Sequence, residues 1–502
     1  MECGSEASAD AEAALQHSKN GCSPLPPRGK GAGGEGKRAA TEGCPIGINF
    51  KNSPNGRYTQ RAMKRITHLT TQIENALQQI LQHDADTLAR ETGFVQRQRK
   101  LTGSTFAQMM VFGAASNPCP TYTDWTHAAT CAGTPLTPQA IEQRFTPQAA
   151  HFLYALLQRF AERVITLCTP EVAPLLQRFA GVFIKDSTVI SLPKALATLW
   201  QGAGGSTGAT AAVKVQVRWN FGTGQLDGPT LQPARCHDRA TPYTVDDLPA
   251  GSLELADLGY LCLEELQAKQ ALGQYFVYRY KVGTAVFTEA GEPLDLLQWL
   301  AQVETVGECR VWLGAQARVP VRVVAFRLSE ASVNRARRRL REYARKKGRQ
   351  PTQERVALTQ WLVVVTNVPE ALLSAQEVGV LARVRWQVEI LFRVWKSCFR
   401  VDECRRRNVW RVLCELYAKL MGVVLWHWLV LVWRGGVWDR SLYKAARAFQ
   451  RLFVVLEVCW RCGWGLGVLL ELFESCLATC RVGKRRERPA AFQWILGLEG
   501  LT

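Results

Sequence analysis

The sequence lacks an apolar run long enough to cross a bilayer. Its most apolar stretch, Met421 to Trp433, covers 13 residues, contains His427 and is flanked by Lys419 and Arg434. A spanning helix needs roughly 20 apolar residues, so a buried helix is expected there instead. The N-terminus carries acids and no apolar stretch, so no secretory signal is read. No internal repeat is found. Negative charge is scarce: 43 Asp plus Glu stand against 62 Lys plus Arg, a net charge of +19. That imbalance favours a polyanionic partner, and nucleic acid fits better than an anionic membrane surface. Aromatic residues are nearly absent from positions 1–62, where only Phe50 and Tyr58 interrupt Gly, Ala, Ser, Pro and Lys. Such a segment cannot bury enough apolar surface to offset its ordering entropy. It is expected to be disordered, with the working protein starting near Met63.

What is present is a chain of 502 residues, 47% apolar and 21% charged. This is an ordinary soluble composition with room for several domains. The sixteen cysteines are scattered. Cys459-x2-Cys462 and Cys476-x3-Cys480 have spacings compatible with zinc. The Trp, Gly, Val, Leu and Phe residues between them read as packed helix, so reduced core thiols are the expectation.

From Met63 the texture is helical, with Ile66, Leu69, Ile73, Leu77, Ile80 and Leu81 at helical spacing. Thr137-Pro138 and Thr146-Pro147 each place a capping hydroxyl before a proline at the first helical position. The segment between them, with Gln139, Gln143 and Arg144, reads equally as part of a helix-turn-helix DNA reader or as a connector. Strand texture begins near Ala180. Strand-like runs follow at Val213 to Trp219, Leu253 to Ala256, Tyr275 to Tyr280, Arg310 to Leu313, Val321 to Phe326 and Trp361 to Val365. Before the last of these lies a basic helix, Ser329 to Lys347, with seven Arg or Lys between Arg335 and Lys346. Val333, Ala336, Leu340 and Tyr343 are expected on its apolar face. Beyond about residue 375 the pattern is helical, closing with a basic tail at Arg481 to Arg488.

One segment stands out. On a helix at about 100° per residue, Arg385, Glu389, Arg393 and Lys396 fall in a narrow stripe. Val384, Val388, Ile390, Leu391, Phe392 and Trp395 fill most of the rest. A surface helix shows the opposite proportions, so this helix should be largely buried, with its charged strip opening on a cleft. Asp186 shares an inward strand face with Val182 and Ile184, where an acid is costly unless paired or coordinating a metal. Asp257 ends a second strand; taken alone, such a residue is more often part of a turn. Together the three acids offer hard oxygen ligands suited to Mg²⁺.

Three segments then resemble one family. Ile184-Lys-Asp-Ser-Thr-Val, Ala256-Asp-Leu-Gly-Tyr and Arg385-Trp-Gln-Val-Glu-Ile-Leu-Phe-Arg-Val-Trp-Lys are similar to the catalytic motifs of the insertion sequence 4 family of bacterial DDE transposases. The third motif of that family reads Tyr-x2-Arg-x3-Glu-x6-Lys, and Arg385, Glu389 and Lys396 match in register. The tyrosine position is Ala382. Trp361, 28 residues before Glu389, falls where hairpin-forming members have a base-stacking tryptophan, although strand core is an equally good reading.

The resemblance implies an α/β fold with an RNase H-like catalytic core and an inserted mostly-β domain. The expected division is 1–62 disordered and 63–165 a helical DNA-binding domain, with 166–270 the first part of the core. After these come 271–370 as the insertion, 371–435 as the second part of the core and 436–502 as C-terminal helices and tail. The implied activity is cleavage at element ends and strand transfer into target DNA, by way of a hairpin. Asp186, Asp257 and Glu389 would be the catalytic metal ligands for Mg²⁺, with Mn²⁺ as a substitute. Arg385, Arg393, Lys396 and Trp361 would contact DNA. The partners would be terminal inverted repeats and target DNA, bound by a dimer in the bacterial cytoplasm at the nucleoid. The alternative is a DNA-binding regulator or relic without catalysis, which Ala382 favours and the intact acids oppose.

Overall fold

The computed structural model describes residues 60–97, 100–165, 173–204, 209–403, 406–433, 440–462, 466–482 and Ile495. Nearly all of the low-complexity N-terminal segment, and the basic tail beyond Val482, lie outside the described residues, as do the side chains of Met63, Ile66 and Leu69.

The described strands form a single mixed sheet. They are β1 (Val182–Leu192), β2 (Ala211–Asn220), β3 (Leu226–Pro233), β4 (Leu253–Ala256), β5 (Tyr275–Arg279), β6 (Val286–Phe287), β7 (Val306–Leu313), β8 (Val319–Arg327) and β9 (Trp361–Thr366). Their order across the sheet is β3-β2-β1-β4-β5-β9-β8-β7-β6. β4 runs parallel to both β1 and β5, and every other neighbouring pair is antiparallel.

Period-two alternation divides the apolar residues between two cores. On one face, Val182, Ile184, Val213, Val215, Val217, Trp219, Leu253 and Leu255 join the first core. On the other, Ala256, Phe276, Tyr278, Val321, Val323, Val363 and Val365 join the second, capped by Leu266, Leu296 and Leu300 from two helices. The strands read in the 271–370 stretch therefore continue the same sheet rather than forming a separate one.

Two strands were not legible in the sequence. β3 contains Gly228, Pro229 and Pro233, residues that read as a turn, and proline is tolerated there because β3 is an edge strand. β6 has two residues, too few to show alternation.

The apolar run predicted to be a buried helix lies within the helix Val409–Trp433. The stretch Val409–Val430 is long and apolar enough to cross a membrane by composition, yet it is buried from Arg411 onward. It is apolar all round, as a central core helix is, and packs against the helices Gly103–Ser116 and Pro147–Glu162. Its buried cations are paired locally: Arg411 binds Glu415 at 2.6 Å and the carbonyl of Pro120, and Lys419 donates to the carbonyls of Arg400 and Glu403. The Thr-Pro starts cap as expected, with Thr137 and Thr146 hydroxyls accepting from the amides of Ala140 and Ala149. The helix Pro138–Glu142 has only five residues and inserts Ile141 into the core, with Phe145 buried just beyond it. Gln139 and Gln143 stay exposed on its outer side. The basic helix occupies Glu330–Lys346, with Val333 and Ala344 buried. Tyr343, expected on its apolar face, is 58% exposed.

The C-terminal cysteines do not gather. Cys459 and Cys480 are buried while Cys462 is exposed. Among the described residues no three Cys, His, Asp or Glu side chains lie close enough together to hold one ion.

Candidate active site

Strand pairing sets the first two acids side by side. Lys185 on β1 is the partner of Ala256 on the parallel β4, so the next residues, Asp186 and Asp257, stand together. Both follow residues of the second-core face, so alternation turns both toward the first-core face. Asp257 has left the strand and opens a short turn, Leu258–Tyr260.

The third acid arrives on the helix Trp386–Ser397, which buries Val388, Leu391, Phe392, Val394 and Trp395 and so packs on that same face. The preceding helix Ala375–Val384 ends at Arg385, where a turn separates the two. The stripe predicted on one continuous helix is thus carried across a junction, with Arg385 at its start and Glu389 one turn on. Asp186, Asp257, Glu389, Arg393 and Lys396 all line one open cleft of about 680 Å³, with Ser187, Thr188, Phe392, Ser397 and Asp402 completing it.

Arg385 lies buried behind the cleft and clasps two of its acids. One guanidinium nitrogen is 3.2 Å from Asp186 Oδ2 and the other is 2.7 Å from Glu389 Oε1. The backbone amide of Ser187 donates to Asp186 Oδ1 at 2.8 Å. Despite both contacts, the Asp186 carboxyl is pushed up to about 7. Burial is the main cause, and the charges of Asp257 and Glu389 add to it, outweighing Arg385 and the amide.

Lys396 donates to the Val189 carbonyl at 3.3 Å, and Arg393 is exposed at the cleft wall. Trp361 stands apart from the cleft lining. It heads β9, packs against the second core and has the Arg327 guanidinium 5.6 Å from its ring centre. Sequence reasoning missed Arg279. It ends β5, and burial lowers its pKa while Asp257 and Glu389 act in the opposite sense, which places it within electrostatic reach of both. Only the strand order β4-β5 brings it to the site.

Beneath the cleft, on the opposite sheet face, lies a buried ionic cluster. Lys185 contacts Glu265 at 2.8 Å and Glu254 at 3.3 Å, and Lys269 contacts Glu254 at 3.3 Å. Tyr278 donates to Glu254. Glu254 is held down at about 2: burial opposes ionisation, but Lys185 and Lys269 together outweigh it.

Comparison with known proteins decides the family. The transposase DDE domain family matches residues 177–425, a span that includes all three acids. The chain belongs to the DDE insertion-sequence transposases. It is 29% identical to the transposase for insertion sequence element IS231F of Bacillus thuringiensis subsp. israelensis, over 85% of this chain and 94% of that one. It is 26% identical to the transposase for IS231B of Bacillus thuringiensis subsp. berliner, over 82% and 91%. The transposase for IS1151 of Clostridium perfringens is 23% identical, over 72% and 80%. The insertion sequence 4 resemblance is consistent with this family, and the activity is DNA transposition by an enzyme that cleaves and rejoins polynucleotides.

Proposed function

We propose that Asp186, Asp257 and Glu389 are the catalytic acids of this transposase. The observation that supports this is their convergence from β1, the end of β4 and a distant helix onto one cleft, where burial and mutual repulsion leave Asp186 destabilised as an anion. Three carboxylates form a donor set suited to a hard divalent cation. The Arg385 guanidinium seated between Asp186 and Glu389 supports the reading that two of these acids attract a cation. Mg²⁺, or Mn²⁺ in its place, held by these acids would supply activation of the attacking oxygen and stabilisation of the leaving one.

The chain's own groups position the substrate. Arg393 and Lys396 on the cleft wall, Arg385 behind it and Arg279 exposed at the end of β5 are placed to hold phosphates of the scissile strand. The Ser187 amide fixes the orientation of Asp186. Each chemical step is an in-line displacement at phosphorus: water nicks the element end, the freed 3′-hydroxyl attacks the opposite strand to close a hairpin, a second water reopens it, and the regenerated 3′-hydroxyl attacks target DNA. Trp361, paired with Arg327 at the head of β9, is the residue we assign to stacking on a displaced base in the hairpin.

The strands β3-β2-β1-β4-β5 with the glutamate helix form the proposed RNase H-like core, which takes β5 out of the insertion expected over 271–370 and leaves the chain from β6 to β9 as the insertion. The remaining division follows, with a DNA-binding helical region over 63–165 and C-terminal helices over 436–502. Terminal inverted repeats held by a dimer at the nucleoid complete the proposal. A non-catalytic DNA-binding regulator is the second reading, favoured by Ala382 at the family's tyrosine position. A donor plasmid with the native flanking DNA, incubated with purified protein and Mg²⁺, separates the two. Cuts at the borders that vanish in Asp186→Asn and Glu389→Gln support the assignment. Salt-sensitive binding without cutting supports the regulator, and undiminished cutting by either variant refutes the choice of acids.

A further inference from the structure

The helix Glu330–Lys346 lies outside the cleft lining, yet it holds the densest charge in the described chain. At about 100° per residue, Arg335, Arg338, Arg339, Arg341, Arg345 and Lys346 cover somewhat less than half of its circumference. All six are exposed. Val333 and Ala344 turn the opposite side into the protein. Among these cations only Arg338 has a carboxylate within ion-pair distance, Glu342 at 2.9 Å.

Such an arrangement opposes folding. Arg335 with Arg339, and Arg341 with Arg345, are like charges one turn apart, a spacing that weakens a helix. A solvated surface helix would intersperse acids, and this one has only Glu330 and Glu342.

Topology adds a direction. The helix leaves the end of β8 and the chain returns at the head of β9, where Arg327 pairs with Trp361. β9 runs antiparallel to β5, and β5 runs parallel to β4. The end of β8, the head of β9 and the ends of β4 and β5 therefore lie along one edge of the sheet. That edge also carries Asp257 and Arg279.

We propose that the cationic face of this helix is a second DNA-contact surface, holding backbone phosphates of a duplex that continues past the cleft. Duplex DNA fits because its phosphates present the closely spaced negative charge that an arginine row with one acidic partner among six cations can neutralise. The face reads no bases, so its contribution is independent of sequence and sensitive to salt. The inference rests on DNA as the substrate and not on which acids cut it.

The test compares binding of a random-sequence DNA duplex across a salt series by the full chain and two variants. One is Arg338→Gln/Arg341→Gln/Arg345→Gln. The other, with the same change in net charge, is Lys444→Gln/Arg447→Gln/Arg451→Gln on the exposed side of the helix Leu442–Arg461. The first variant should lower the slope of log affinity against log salt by roughly 2.7, about 0.9 for each phosphate no longer neutralised. The second should leave the slope unchanged. Equal reductions in both would reduce the effect to net charge and overturn the proposal. So would an unchanged slope in the first variant. Wild-type protein that fails to bind duplex DNA would instead refute the DNA-cleaving assignment of the cleft.

Discussion

Arg385 joins Asp186 and Glu389 through one guanidinium, at 3.2 and 2.7 Å, and so occupies the charge centre between two acids that come from opposite ends of the catalytic segment. Among the described residues no three acids lie close enough to share an ion. The arginine and a divalent cation would compete for the same carboxylate oxygens.

Arg385→Gln should therefore bind Mn²⁺ more tightly than wild type when DNA is absent. A cation a few ångströms away opposes a second one by several kcal/mol at intermediate dielectric, so an increase of about tenfold or more is expected. The titration belongs at about pH 8, because Asp186 is pushed up to about 7 and must be ionised to compete fairly. Unchanged or weaker Mn²⁺ affinity, read by electron paramagnetic resonance, would mean that the clasp is structural only.

The buried cluster under the cleft supports a second prediction. Lys185 precedes Asp186 and neutralises Glu254 and Glu265 on the other sheet face. Removing one partner of a buried ion set leaves the others uncompensated, which costs about 3–5 kcal/mol. Lys185→Met should lower stability by that amount in urea unfolding. Glu254, held near 2 in the folded protein, shows the matching acid dependence. Its folded value lies below the ordinary carboxylate range, so its contribution is full above that range and is lost as pH falls toward 2. A Lys185→Met protein as stable as wild type would show that Lys269 alone satisfies both glutamates.

How far the sequence foretold this site depends on distance along the chain. Asp186, Glu389 and their strand and helix were legible because each sits in a local pattern: alternation for β1, and an apolar helix with a charged strip for Trp386–Ser397. Arg279 was not, since nothing near Tyr275–Arg279 marks it and only the neighbouring of β4 and β5 brings it to Asp257. The Arg385–Asp186 contact spans 199 positions and has no local signature. β3 was hidden by Gly228, Pro229 and Pro233, whose turn propensity is overridden by pairing along β2. The lining acid Asp402 was missed for the same reason as Arg279.

A third prediction concerns pH. Glu457 on the helix Leu442–Arg461 is 4% exposed and its Oε1 atom has no hydrogen-bond partner. Burial pushes its carboxyl up to about 7, with Arg461 opposing. A folded value above the unfolded one gives stability that is full below the ordinary carboxylate range and is lost as pH rises through 7. Wild-type protein should lose up to about 3 kcal/mol between pH 5 and 8 from this group, at 1.36 kcal/mol per unit. Glu457→Gln should remove that part of the dependence in paired thermal melts, and parallel pH curves for the two proteins would contradict it.

The last prediction concerns Gly259, in the turn that follows Asp257. A methyl group there would fall 2.6 Å from Asp238 Oδ2. Asp238 is not free to retreat, since its other oxygen takes Lys214 at 2.6 Å and the Ser187 hydroxyl at 3.3 Å. Ser187 in turn gives its amide to Asp186. A clash at Gly259 is thus transmitted to both aspartates, through the turn to Asp257 and through Asp238 and Ser187 to Asp186. Gly259→Ala should cut strand cleavage at least tenfold, about 1.4 kcal/mol in the barrier, because displacements near 1 Å are costly to reactive geometry. Duplex binding and its salt slope should stay at the wild-type level, since no phosphate-facing cation has moved. The double variant Gly259→Ala/Asp238→Ala decides the route: recovered cleavage assigns the loss to the crowded carboxylate, and no recovery assigns it to the turn beneath Asp257 itself.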